Sequence, residues 1–268
     1  CRKYITDLLL CSGSREYGNG RSNIVLLQQD TKRQIKSYWT KRSHDFARLR
    51  VKELNSPKAR LWEEEIDRHL PDIPGLRILD IGTGSVFFAF LLEQKGHRVT
   101  GVDLTPSMIE EAEEIGRKTG SGAEFRVMDA ENLLYADESF DVVLSRNLTW
   151  TLPDPGRAYR EWYRVLKKGG LLLNFDGNYG REDFAKGDEE VLDNHAHKTI
   201  ADSLRRECNR IKDQLEVSRR VRPAWDVEKL EEAGVQRMEL DLSVSERIYR
   251  RVDEFYNPTP LFSIKAVK

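Results

Sequence analysis

A short apolar run that ends in a carboxylate, Leu76 to Asp80, passes straight into Gly82-Thr83-Gly84 and then into a helix-like stretch from Val86 to Lys95. This strand, turn and helix constrains the fold more than any other segment, because the unit repeats. Arg98 to Leu104 reads as a second strand with Asp103 at its end, and Pro106 opens a helix through Met108, Ile109, Ala112 and Ile115. Glu124 to Met128, Phe140 to Ser145 and Leu171 to Phe175 read as strands three to five, the last one following a helix from Gly156 to Leu166. Strands that alternate with helices at this spacing predict a parallel sheet covered on both faces, with right-handed crossovers. Val235 to Val244 and Leu261 to Val267 are the last two strands, and residues 245–260 between them leave room for at most a short helix. An antiparallel final strand is therefore expected. The predicted fold is α/β: a doubly wound, mostly parallel seven-stranded sheet with an antiparallel last strand, a helical N-terminal arm and a helical lid insertion.

Four regions follow from this pattern. Residues 1–70 form the arm and entry helices, 71–180 a Rossmann-like core, 181–222 the lid, and 223–268 a helix and two strands that complete the sheet. Within the arm, residues 12–22 are rich in Gly, Ser and Asn and should interrupt any element between Leu10 and Asn23. From Asp30 to Leu54 the pattern turns helical, with Ile35, Trp39, Phe46 and Leu49 near one face, and a second run through Leu61, Trp62, Ile66 and Leu70 closes at Pro71 and Pro74. The stretch 181–222 is charged, helix-prone and too long for a simple connection. Pro223 and Trp225-Asp226 open a helix from Val227 to Ala233, with Gly234 as its stop.

Charge and composition narrow the classes of function. The 268 residues carry a formal net charge of −1, so no overall basic field draws the chain to nucleic acid or to an anionic membrane. No apolar run approaches the roughly 18 to 20 residues of a bilayer span, and Cys1 to Leu10 reads poorly as a signal peptide because Asp7 interrupts it. Cys1, Cys11 and Cys208 have neither a CxxC spacing nor an even count, which argues against a disulfide framework or a metal site and for a reducing, cytoplasmic setting.

At the first strand end, small residues let the backbone approach a ligand while the following helix offers free N–H groups. A tight turn that chose glycine for its dihedrals is the plain alternative. Asp103 is placed to accept hydrogen bonds from two ribose hydroxyls, or else caps the helix that begins near Pro106. Asp129 and Ala130, past strand three, could present a side-chain acceptor and a backbone N–H to an adenine edge, or Asp129 is simply a turn residue.

The segments LDIGTG (79–84), VTGVDLTPSMIEEAEE (99–114), FRVMDAENL (125–133), FDVVLSRNLTWTLPDP (140–155) and LKKGGLLLNFD (166–176) stand in the order found in a known family. The chain resembles the class I S-adenosylmethionine-dependent methyltransferases of the small-molecule type. The resemblance implies S-adenosyl-L-methionine as cofactor, with Asp80, Gly82, Thr83 and Gly84 around its methionine moiety. It also implies Asp103 on the ribose, Leu104 and Met108 beside the adenosine, Asp129 and Ala130 at the adenine, and Ser145, Arg146 and Asn147 near the amino-acid end and the sulfonium. Tyr38 and Trp39 resemble the aromatic entry helix that closes over the cofactor in these enzymes. The implied reaction is direct in-line methyl transfer to a small molecule.

One position departs from the family pattern. Val86 stands where a small residue is usual, so its side chain either points away from the ligand or narrows the pocket, and its β-branch disfavours a positive φ. That departure keeps a noncatalytic S-adenosylmethionine- or nucleotide-binding module in view. An NAD-dependent oxidoreductase is a weaker alternative, because Phe87 occupies the third position of the Gly-x-Gly-x-x-Gly fingerprint. For the acceptor, Trp150, Asn178 and Tyr179 follow strands and should face the cofactor rim. His195 and Tyr179 are the candidates for moving a proton, with Asp193 and His197 nearby in the lid. The plainer expectation for His195 and His197 is exposure to solvent, and two residues apart on a helix they diverge by about 200 degrees and make no metal pair.

Overall fold

The computed structural model describes residues 16–186, 195 and 199–268, with side chains from residue 26 onward. Eight α-helices and seven strands are found among them. The first half runs α1 (Glu16–Leu54), α2 (Pro57–Asp67), β1 (Arg77–Ile81), α3 (Phe87–Gln94), β2 (Arg98–Asp103), α4 (Pro106–Thr119), β3 (Glu124–Val127) and β4 (Phe140–Arg146). The second half runs α5 (Pro155–Val165), β5 (Leu166–Gly177), α6 (Asp202–Gln214), α7 (Ala224–Glu232), β6 (Arg237–Asp241), α8 (Val244–Ile248) and β7 (Leu261–Val267).

The strands form one sheet in the order β3-β2-β1-β4-β5-β7-β6. β1 to β5 are parallel, while β7 is antiparallel to both β5 and β6. Alternation along each strand builds the two cores on its faces. Ile78, Val142, Leu144, Leu171, Leu173 and Phe175 pack with α2, α3 and α8. Leu79, Ile81, Val143, Leu172, Phe262 and Ile264 pack with α5 and α7. Trp62 of α2 sets its ring edge-on to Phe88 and Phe175, at 5.3 and 5.5 Å between centroids.

Local chemistry fixes several helix ends. Pro57, Pro106 and Pro155 open α2, α4 and α5, where the missing N–H costs nothing. Ser56 and Asp154 accept from the backbone N–H groups of Lys58 and Arg157 at 3.1 and 2.9 Å, as N-caps should. Behind the sheet's carboxyl edge, buried Arg222 donates to Asp226 (2.7 and 2.8 Å), to Thr149 (2.6 Å) and to Asp176 (3.3 Å). This pins α7 to the end of β5.

Three expectations change. The run 12–22 does not interrupt its whole length, because α1 begins at Glu16 and continues through Gly18 and Gly20. An internal glycine costs a helix about 1 kcal/mol, which a long helix already nucleated downstream can absorb. β5 is twelve residues long and starts at Leu166, where the helix was expected to end. In the stretch 181–222 the described residues hold one α-helix, α6, which packs through Ile211 on Ile35 and Tyr38 of α1.

Candidate functional site

At the carboxyl ends of β1, β2 and β4 lies a cavity of about 550 Å³, roofed by α1. Its geometry begins with the turn after β1. Gly82 and Gly84 have φ of +68° and +53°, a region open to glycine, and a Cβ on Gly82 would lie 2.8 Å from Leu148. Val86 takes φ +106°, although it is β-branched. Its side chain is fully buried in the core with α2 and α3 and does not line the cavity. It packs away from the cavity, and the cost falls on the backbone instead.

Three acidic tips face this cavity. Asp80 is almost fully buried and accepts from the Thr83 hydroxyl at 2.7 Å. Burial pushes its carboxyl up to about 7; the charge of Asp103 adds to the rise and the Thr83 hydrogen bond opposes it. Asp103 accepts from the Gly84 N–H at 3.2 Å through Oδ2 and from the Thr105 N–H at 2.8 Å through Oδ1, and burial raises its pKa. A carboxylate offers about four lone-pair sites, so each oxygen keeps capacity for a ligand hydroxyl. Asp129 accepts from the Glu131 N–H at 2.9 Å and from Lys32 Nζ at 2.6 Å. Lys32, on α1, also reaches Glu131 at 2.6 Å.

Leu104, Met108 and Ala130 line the cavity, as do Tyr38 and Trp39 of α1. Arg146 and Asn147 line it too, whereas Ser145 does not. Ser145 is still inside the sheet, paired with Ile81 and Asn174, and fully buried. Asn147 leaves the strand at φ +54°, a conformation that asparagine tolerates. Its N–H donates to the Phe175 carbonyl at 2.8 Å and its Oδ1 accepts from the Tyr179 hydroxyl at 3.0 Å.

Beyond Asn147 the walls become aromatic. Trp150 lies 5.1 Å from Tyr179 and 5.6 Å from Phe184 between ring centroids, and all three face the cavity. Asn178 is not among the lining residues. Tyr179 accepts from Asn257 at 2.6 Å while it donates to Asn147, and burial raises its pKa well above the usual phenol range. It is therefore held as a neutral positioning group and is a poor base. His195 is buried, not exposed; it lines the cavity, and its Nε2 donates to the Tyr256 carbonyl at 2.7 Å. Asp193 and His197 lie outside the described residues.

The sequence reading missed Lys32, Arg50, Tyr249, Tyr256 and Asn257, all of which face the cavity. Lys32 and Arg50 sit in a charged helix that reads as a solvated face, and the other three come from an irregular segment before β7. No spacing rule joins them. Among the described residues no cluster of three or more His, Cys, Asp or Glu could hold a metal ion, and no helix is long and apolar enough to cross a membrane.

A glycine turn with three acidic tips lies at the carboxyl edge of a doubly wound sheet, the place where such folds take their ligands. Residues 79–174 match a methyltransferase domain family. The arsenite methyltransferase of Halobacterium salinarum is 40% identical over 108 residues, which is 38% of this chain and 27% of that protein. The ubiquinone biosynthesis O-methyltransferase of Xanthomonas oryzae is 32% identical over 103 residues, 38% of this chain and 43% of that protein. The chain thus spans less than half the length of either relative. Among solved structures, phosphoethanolamine N-methyltransferase 2 of Haemonchus contortus with S-adenosyl-L-methionine aligns at a TM-score of 0.55 and 21% identity, covering 77% of this chain and 52% of that one. That likeness concerns the fold. Residues 79–174 thus form a methyltransferase domain, similar over that stretch to methyltransferases, and S-adenosyl-L-methionine is the cofactor this likeness supports.

Proposed function

We propose that the chain transfers a methyl group from S-adenosyl-L-methionine to a small-molecule acceptor. The observation that carries this reading is that one cavity joins the acidic strand tips to an aromatic chamber, with α1 over both. The cofactor supplies an electrophilic methyl on a sulfonium, which an acceptor can displace in line without any covalent enzyme residue. The chain's own work is to hold, orient and keep dry.

In this reading Asp80, Gly82, Thr83 and Gly84 surround the methionine moiety, and Asp103 takes the two ribose hydroxyls. Leu104 and Met108 flank the adenosine, and Asp129 with Ala130 meets the adenine edge, where an exocyclic amine competes with Lys32 for the Asp129 carboxylate. The residues present suit such a ligand: carboxylates for the ammonium and hydroxyls, and a side-chain-free turn beside them. Arg146 and Asn147 stand where donor and acceptor meet. Trp150 and Tyr179 wall the acceptor side, and His195 is the candidate there for moving a proton. Positioning of this kind contributes roughly 7 to 11 kcal/mol in favourable intramolecular systems. Val86, the feature that favoured a noncatalytic module, lies outside the cavity and no longer supports that alternative.

Calorimetry with S-adenosylhomocysteine tests the donor half. Hydrogen bonds to a charged group contribute about 1.5 to 3 kcal/mol each, so Asp103→Ala should weaken binding by at least about tenfold. Unchanged affinity would sink the assignment of the ribose site.

A further inference from the structure

We infer that the acceptor this cavity takes is a planar, largely apolar acid whose carboxylate docks on Arg50 and Arg146; the inference rests on the methyl-transfer reading and names its substrate class. Arg146, at the end of β4, donates to Glu53 Oε1 at 2.8 Å, and Arg50 donates to Oε2 of the same carboxylate. Glu53 is fully buried and does not line the cavity, whereas both arginines do. The carboxylate therefore stands behind the guanidiniums, and the cavity meets their cationic face.

Charge counting makes this face selective. Two guanidiniums share one carboxylate, which leaves one positive charge in excess beside the acceptor chamber. Burial alone would raise Glu53, yet Arg146 and Arg50 outweigh it and hold the group below its usual range, so its negative charge is retained. Of the other carboxylates facing the cavity, Glu254 is taken by Lys52, and Asp80, which feels the charge of Arg146, is pushed by burial up to about 7 and so cancels only part of that excess near neutral pH. The Nε atoms of both arginines are buried without a hydrogen-bond partner among the described residues; Glu53 takes Nη1 of Arg50 and Nη2 of Arg146, and the exposed edge of each guanidinium is its terminal Nη pair. A planar fork of this type matches a carboxylate, and one excess charge matches a monoanion better than a phosphate dianion.

The guanidinium of Arg146 cannot drift from this place. It is held against the rings of Trp62 and Phe87, 4.4 and 4.7 Å from their centroids. Next to it, Trp150, Tyr179 and Phe184 offer flat apolar surface, which suits a ring or another planar body. A quaternary ammonium acceptor could also use aromatic walls, but the excess positive charge opposes it.

The 268-residue chain saturated with S-adenosylhomocysteine, and the same chain without it, would be titrated calorimetrically with 4-hydroxybenzoate, its neutral amide and benzyltrimethylammonium. The acid should bind at least about tenfold more tightly than either of the others, the gain expected for one charge-assisted fork. Arg50→Gln should erase the preference while S-adenosylhomocysteine affinity stays within about twofold. Equal binding of acid and amide, preference for the cation, or no measurable acid binding overturns the inference. So does a matching loss of S-adenosylhomocysteine affinity in Arg50→Gln, which would give the pair to the donor's own carboxylate. Failure of wild-type protein to bind S-adenosylhomocysteine at all would instead strike the methyl-transfer reading, and the acid–amide contrast on the wild-type chain stands even where the variant does not fold.

Discussion

The left-handed Val86 backbone makes an unusual prediction: replacing it with glycine should harm the protein less than replacing it with alanine. Val86 is fully buried, so truncation removes apolar contact in proportion to the carbons lost. At about 0.8 kcal/mol per carbon, alanine loses roughly 1.6 kcal/mol and glycine roughly 2.4, before any cavity contribution. Glycine also adds about 0.4 to 1 kcal/mol of unfolded-state entropy. Against this, the φ of +106° at a β-branched residue stores strain, of order 1 to 3 kcal/mol, that only glycine fully relieves. With the strain near the upper end, Val86→Gly comes out destabilised by less than about 1 kcal/mol and Val86→Ala by about 2. Urea unfolding monitored by tryptophan fluorescence measures both, and the slope m should be unchanged. If alanine proves the more stable of the two, the strain that glycine relieves is below about 1.5 kcal/mol and this account of the turn is wrong. Because the side chain faces the core, neither variant should move S-adenosylhomocysteine affinity by more than about twofold.

Asp80 should make ligand binding pH-dependent. Its carboxyl sits at about 7 against 3.8 in an unstructured chain, so the folded state binds the extra proton and unliganded stability falls as pH rises through that window. A ligand ammonium needs the ionised form, and each pH unit below 7 costs about 1.4 kcal/mol, so S-adenosylhomocysteine affinity should rise about tenfold from pH 6 to pH 8. A flat profile in wild type, or an unaltered slope in Asp80→Asn, contradicts this. Arg222→Met should cost about 3 to 5 kcal/mol by leaving Asp176 and Asp226 buried without their cation; a loss below about 1 kcal/mol in urea unfolding would show that the network contributes little.

The sheet was legible because each strand is a short apolar run bounded by turn residues, and the ordered motifs place Asp80, Asp103 and Asp129 at neighbouring strand ends. What escaped notice depended on packing between distant elements. Arg50 and Glu53 read as one more helical ion pair, and only the fold brings Arg146 to them across more than ninety residues of sequence. Lys32 meets Asp129 for the same reason. Ser145 was misplaced by a single residue of strand register, since the sheet runs to Arg146. Val86 shows local preference yielding to geometry: the turn after β1 needs a left-handed residue there, and the chain bears the strain. His195 was misjudged because its burial comes from the Tyr256 segment, far along the chain.

Helix α1 grips the protein at two distant points, through Lys32 on Asp129 and Glu131, and through Arg50 and Glu53 on Arg146. From Lys32 to Arg50 a straight helix rises about 27 Å, so the element behaves as a strut tying the Asp129 end of the crevice to its far wall. A nucleoside that prised Lys32 loose would tug on the other anchor without ever touching it. Linkage is reciprocal, so whatever factor the spent cofactor imposes on acid binding, the acid must return in equal measure on the cofactor; each guest would sense the other through a beam.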